Sequence, residues 1–252
     1  MEQKHRNKTV INNDFYDLLG EKWYTAFDHP VALLRAENEA RAEWIGNEID
    51  ARFGEKVKIL DVGCGAGLLS NQLSTQGHHV TGVDISKSSL KIAQRFDRTK
   101  KALYLYGNAY GLPFLENSFD VVCATDVLEH VENPYRLIQE ASRVLRLEGL
   151  FFFHTFNRNF LSKLVVIKGV EWFVKNAPKN MHVYDLFIRP KELEKILLEN
   201  RLEMQILKGL APRVWSLPFW KMMITRTVPK DMKFVFTKSL SIGYCGLAIK
   251  RS

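Results

Sequence analysis

The chain has 252 residues, 46% of them hydrophobic, enough for one sizeable core, and this favours one domain with insertions over two. Cys64, Cys123 and Cys245 lie far apart with no Cys-x-x-Cys pair, so neither a disulfide framework nor a thiolate zinc site is expected, and a reducing cytoplasm fits best. A net charge of +8 points to a polyanionic partner, nucleic acid or an anionic bilayer, without choosing between them.

Met1 opens onto Glu2-Gln3-Lys4-His5-Arg6-Asn7-Lys8, which is charged and has no apolar stretch, so no secretory signal is expected. Apolar runs elsewhere fall short of the ~20 residues that a transmembrane helix needs. The aromatic and polar stretch Asn13 to Tyr24 reads either as a flap over a pocket or as a peripheral helix. From Leu33 to Ile49 the spacing is helical, with Leu33, Leu34, Ala40, Trp44, Ile45 and Ile49 on one broad face.

Lys58 to Val62 is a strand, Gly63-Cys64-Gly65-Ala66-Gly67 a tight turn, Leu68 to Leu73 the start of a helix, and His79 to Val83 a second strand ending in Asp84. Alternate glycines let the backbone turn off a buried strand and approach a ligand closely. Asp84, about 20 residues beyond the turn, can accept both hydroxyls of a ribose. Asp61 stands ahead of the first glycine, where it would repel a pyrophosphate and welcome an ammonium. That favours S-adenosylmethionine over a dinucleotide. Cys64 reads as a small filler.

Here the chain resembles the class I methyltransferases. Ser86 is an N-cap for a helix to Phe96, and Leu103 to Tyr106 is a third strand. The stretch Gly107-Asn108-Ala109-Tyr110-Gly111-Leu112-Pro113-Phe114 is similar to that family's adenine-edge loop, with Asn108 where Asp is usual. Asn still offers a carbonyl oxygen to the adenine amino group and an amide to a ring nitrogen. Ile85 beside Asp84 and Ala109 beside Asn108 complete the cofactor contacts expected there.

Phe119 to Ala124 is a continuous apolar strand of the kind covered on both faces, and it delivers Thr125-Asp126-Val127-Leu128-Glu129-His130 to the carboxyl edge of a sheet. A helix is expected from Asn133-Pro134 to Leu145, ended by Gly149, then a fifth strand Leu150 to Thr155. Residues 156–182 mix apolar side chains with lysines. Arg189-Pro190 opens an amphipathic helix to Asn200, Leu202 to Leu207 is a sixth strand, residues 211–233 are a second aromatic and basic insertion, and Ser241 to Lys250 closes the sheet. The expected fold is α/β, a doubly wound Rossmann-like class I methyltransferase sheet. A helical cap covers residues 1–50, and the methyltransferase domain covers 51–252 with insertions near 156–182 and 211–233.

Beyond the cofactor loop, Asp126 to Val131, Asn157-Arg158-Asn159, Gly169-Val170-Glu171-Trp172, Pro178-Lys179 with His182, and Phe187-Ile188-Arg189-Pro190 with Glu192-Leu193 follow at matching spacing. Together they resemble the ubiquinone-biosynthesis O-methyltransferases, from Glu37 to Arg201. The resemblance implies methyl transfer from S-adenosylmethionine to ring hydroxyls of polyprenylated catechols. It implies Arg41, Gly63, Asp84 and Thr125 as cofactor residues, joining Asp61, Gly65 and Gly67 of the turn. It also implies a divalent-metal cluster on Asp126, Glu129 and His130, with Asp in place of the family's first glutamate. Two carboxylates and an imidazole suit magnesium, manganese or zinc, magnesium being the first choice. The family's His and Pro ahead of Arg41 are absent, and the 211–233 insertion is longer than the family's.

A phenol has a pKa near ~10, so the nucleophilic phenolate must be generated by a base or a metal. Asp126, His130 and His182 are the catalytic candidates. If a helix starts at Asp126, then Asp126, Glu129 and His130 share one face; the competing reading has Glu129 capping and His130 packing. His154 reads as structural. The other functions open are methylation of another small molecule or of RNA, though no Asn-Pro-Pro-Tyr motif is present and nucleic acid is not expected, and cofactor binding without transfer. Phe160 to Lys179, with Trp215, Phe219, Trp220 and Lys221, has the composition of an interfacial segment. The expected partners are a lipophilic phenolic substrate, an anionic membrane surface and other quinone-biosynthesis enzymes, with the protein cytoplasmic and peripheral to the inner membrane. The competing reading makes these aromatics a lid packed on the core.

Overall fold

The computed structural model describes residues 14–178 and 181–252, so the charged segment before Asp14 and Lys179 lie outside the described residues. Helices α1 (Asp14–Leu18), α2 (Lys22–Thr25) and α3 (Val31–Phe53) form the cap. Gly54, left-handed at φ 66°, ends α3. The last cap helix therefore crosses residue 50 and runs into the expected domain boundary.

Strands β1 (Lys58–Val62), β2 (His79–Asp84), β3 (Leu103–Tyr106), β4 (Phe119–Thr125) and β5 (Leu145–Phe156) pair in parallel. They alternate with α4 (Leu68–Thr75), α5 (Lys87–Phe96) and α6 (Pro134–Val144). A short helical run follows β5, made of α7 (Phe160–Ser162), a π-helix (Lys163–Gly169) and α8 (Val170–Phe173). Then come α9 (Pro190–Glu199), β6 (Leu202–Pro212), α10 (Leu217–Thr225), β7 (Phe234–Thr237) and β8 (Gly243–Lys250). The sheet order is β3-β2-β1-β4-β5-β8-β6-β7, with β8, β6 and β7 joined by antiparallel pairing. Strand order reverses between β1 and β4, and in doubly wound sheets the crevice outside the strand ends at that point binds ligands.

Side-chain alternation splits the interior into two cores. Leu60, Val122, Phe151 and Phe153 face α6 and α9, meeting Leu137, Ile138, Leu193 and Leu197. Ile59, Val121, Cys123 and Phe152 face the other way, meeting Trp44, Ile45 and Ile49 of α3. Burial on both faces is why these strands read as unbroken apolar runs. It is also why α3 can place polar residues at the strand ends.

Three elements differ from expectation. The helix opened by Asn133, whose side chain accepts from the Arg136 amide at 3.1 Å, stops at Val144, and Leu145 already pairs with Phe119. Gly149 is therefore a strand residue, needed because a Cβ there would sit 2.9 Å from the Asp120 carbonyl oxygen. Strand β6 extends to Pro212 and pairs with β7, so the second insertion is the loop of a hairpin, carrying α10. The four-residue β7 was hidden by the basic stretch before it.

Candidate active site

The turn after β1 approaches its neighbours as closely as the glycine spacing implied. Gly63 has φ 72°, and a Cβ on it would meet Val127 Cγ2 at 2.5 Å. Gly67, at φ 75°, caps α4, and a Cβ there would strike Ala93 and the Tyr104 hydroxyl at 2.8 Å. Gly63 and Gly65 line the central cavity, whereas Gly67 is not among its lining residues and serves helix–strand packing. Asp84 Oδ2 accepts from the Gly65 amide and Oδ1 from the Ser86 amide, each at 2.8 Å. Burial raises its pKa, partly offset by those donors. Asp61 is buried, accepts from Ser70 Oγ at 2.6 Å, and is pushed up to about 6 by burial. Asp61, Ile85, Asn108, Ala109 and Thr125 share the cavity wall, and Asn108 Oδ1 accepts from the Tyr110 amide at 2.9 Å.

Beyond Thr125 the backbone turns left-handed at Asp126, φ 57°, and only Leu128–His130 coil, as one 3-10 turn. The helix expected from Asp126 does not form, so Asp126, Glu129 and His130 do not share a helical face. Instead Arg41 reaches down from α3 and donates with both terminal nitrogens to Asp126, Nη1 to Oδ1 at 2.6 Å and Nη2 to Oδ2. His154 Nδ1 bonds the same Oδ1, and its Nε2 stands 3.3 Å from Glu37 Oε1. Burial would raise the Asp126 carboxyl, but Arg41 and His154 hold it well below the usual range. Burial opposes charge on His154, yet Asp126 and Glu37 overcome this and raise its pKa.

Glu129 is in the opposite condition. Its Oε2 accepts from Thr155 Oγ1 at 2.9 Å, while Oε1 is buried with no hydrogen-bond partner among the described residues. Burial, then the Asp126 charge, push its pKa up to about 7. The His130 ring lies edge-on to Tyr16, with Nε2 3.4 Å from the hydroxyl, and burial pushes it down to about 4. His182 is 5.5 Å from it, ring to ring, and is pushed down to about 3 by burial and then by His130. Arg41, Asp126, Glu129, His130 and His182 all line one cavity of about 1370 Å³. Such sites commonly span about 300–1,000 Å³ for one drug-sized ligand, so this one has room for two.

A model described as a methyltransferase domain matches residues 60–153. The ubiquinone biosynthesis O-methyltransferase of Actinobacillus pleuropneumoniae serotype 7 is 33% identical over 198 residues, 76% of this chain and 82% of that protein. The mitochondrial ubiquinone biosynthesis O-methyltransferase of Dictyostelium discoideum is 32% identical over 94% of this chain and 77% of its own length. The chain belongs to the ubiquinone biosynthesis O-methyltransferase family. It is an S-adenosylmethionine-dependent methyltransferase. Among solved structures, an S-adenosylmethionine-dependent methyltransferase of Thermotoga maritima covers 94% of the chain and 99% of itself, with TM-score 0.61 and 17% identity, a likeness of fold.

The metal that the family resemblance implied fits poorly here. Among the described residues the donor atoms that converge belong to Asp126, Glu129 and His154, within 4.8 Å of one another, and not to His130. Both Asp126 oxygens already take the Arg41 guanidinium, and His154 spans Asp126 and Glu37 with its pKa raised. The His154 nitrogen nearest the cluster is taken up by Asp126, and the Arg41 guanidinium already supplies the positive charge there. Glu37 and Tyr16 were missed as site residues because one looks like a helix surface acid and the other lies in an irregular aromatic stretch. The polar positions at Glu37, Asn38 and Arg41, all buried inside a helix otherwise packed by Ala42, Ile45 and Ile49, were the available signal.

Proposed function

We propose that this protein moves the methyl group of S-adenosylmethionine to a ring hydroxyl of a polyprenylated catechol or phenol in ubiquinone biosynthesis. The supporting observation is that one cavity holds the cofactor loop, a buried carboxylate with an unpaired oxygen, and a broad apolar lining. That lining includes Val31, Leu34, Val166, Val170, Phe173 and Phe219. Bound there, the cofactor supplies a methyl carbon activated by a sulfonium. Asp84 takes the ribose hydroxyls, Asn108 the adenine edge, and Thr125 and Gly63 the strand-end contacts. Arg41 stands at the methionine end. The cap through residue 50 supplies Tyr16 and Arg41 to the domain built from residues 51–252.

Methyl transfer is an in-line displacement, so alignment and removal of one proton are what the protein must provide. Glu129 is the base: its unpaired Oε1 accepts the phenol proton, and a pKa near 7 suits that transfer at neutral pH. Asp126 is tied to Arg41, and His130 and His182 are too weakly basic, so these three position the ring. Purified protein given S-adenosylmethionine and a prenylated catechol should release the methyl ether, detected by mass spectrometry. The rate should be unchanged by exhaustive chelation. No transfer to any tailed catechol overturns the activity, and loss on chelation with recovery on magnesium overturns the metal-free step.

The same reading places the protein peripherally on the cytoplasmic face of the inner membrane. Among the described residues no helix is long and apolar enough to cross a membrane. Phe160, Trp215, Leu217 and Ile224 are 78%, 90%, 87% and 82% exposed, with Lys163, Arg213 and Lys221 nearby in sequence. Large exposed apolar side chains beside cations suit an anionic bilayer surface. Flotation with anionic vesicles should be lost on replacing Phe160, Trp215 and Ile224 together by serine, with cofactor affinity retained. Undiminished flotation counts against the membrane.

A further inference from the structure

Helix α10 (Leu217–Thr225) is apolar around most of its circumference, an unusual state for a short surface helix. Its two sides have different surroundings. Leu217, Trp220 and Ile224 are exposed, whereas Phe219, Met222 and Met223 line the same cavity as the cofactor loop. Leu164, Val165 and Val166 of the π-helix line the same cavity, and a widened helical turn of this kind recurs at functional sites.

The hairpin loop carrying α10 is built in place. Val228 donates its amide to the Phe27 carbonyl at 2.6 Å, and Lys175 to the Arg226 carbonyl at 3.1 Å. Val228 and Met232 are buried with Met222 against Ala32 and Ala36 of α3. Met222 thus packs on α3 at the edge of the cavity, while Phe219 and Met223 are only partly buried and also line it.

We propose that Met222 and Met223 are specificity-determining residues, forming with Phe219 and the π-helix an arm that takes the isoprenoid tail of the substrate. This rests on the functional reading above. An isoprenoid carries a methyl branch on every unit and has an uneven cross-section. Unbranched, polarizable methionine side chains can follow such a contour, and a tail lying there leaves the ring at Glu129.

The test compares kcat and KM for catechols carrying no, one or several isoprene units. In the wild type, kcat/KM should rise about tenfold or more from the tailless to the longest substrate, as burial of added apolar groups requires. Met222→Gln and Met223→Gln should lower the tailed-to-tailless ratio about tenfold, mainly through KM, and Met222→Leu and Met223→Leu should restore it. Should either Gln variant fail to fold, geranylgeraniol replaces it as probe of the wild type, where competitive inhibition against the tailed substrate is expected. Equal rates with and without a tail, equal losses on both substrates, or absence of competition would overturn the arm while leaving ring methylation standing. Failure to methylate any ring hydroxyl would instead overturn the functional reading on which the arm rests.

Discussion

Glu129→Gln is expected to lower kcat by about 10²–10⁴-fold, the usual worth of a positioned base, with cofactor affinity retained. Glutamine preserves the shape and can keep the Thr155 contact, so the loss reports the missing proton acceptor. The wild-type rate should climb as pH passes about 7, where the Glu129 proton leaves, and level off above. Among its neighbours, Asp126 is held ionised, Arg41 stays charged and His130 stays neutral over that range. Stability has the opposite slope. A carboxylate raised in the folded state contributes stability that is full below its unfolded pKa and lost as pH rises through about 7. Wild type should therefore lose stability between the ordinary carboxylate range and pH 8 more steeply than the variant. A Glu129→Gln enzyme with near-normal kcat, or a rate limb unmoved by the change, sinks the assignment.

The glycine turn and the acidic strand tip that line the cavity were legible because their constraints are local. A turn that cannot carry a Cβ, an acid at the next strand tip and a cap such as Ser86, which accepts from Ser89 at 3.1 Å, each leave a mark within a few residues. The parallel strands were legible because burial on two faces forces unbroken apolar runs. The polar cluster around Asp126 was not, because it is assembled from α1, α3, β4, β5 and the turn after β4. Asp126 meets Arg41 across 85 positions of sequence and His154 across 28. His154 read as structural, and it is fully buried, yet its pairing with Asp126 and Glu37 sets the charge state of the floor. The misleading signal in this cluster was the spacing of Asp126, Glu129 and His130, which fits a helix that the left-handed residue Asp126 prevents.

Arg41→Ala is expected to destabilise the fold by about 3 kcal/mol. Arg41 is 1% exposed and spends both terminal nitrogens on Asp126, so the substitution strips the ionised carboxylate of its two-pronged partner and leaves it only the His154 contact. Breaking a buried pair from one side typically costs roughly 3–5 kcal/mol, and the low end applies because the Asp126 side chain keeps 17% exposure. At about 2–4 °C per kcal/mol for a chain of this size, Tm should fall by about 6–12 °C. Removing both partners, Arg41→Ala with Asp126→Ala, should recover part of the loss, since no charge is then stranded. Arg41→Lys should not substitute, because a point charge cannot make the two-pronged contact. The pH dependence fixes the cause. A carboxylate depressed in the folded state contributes stability that is present above its unfolded pKa and lost as pH falls through its folded one. The gap between wild type and Arg41→Ala should thus be widest near neutrality and shrink below the ordinary carboxylate range. Thermal melts across that range measure it, and a gap that is absent or independent of pH would mean that the pair does not hold α3 to the floor of the site.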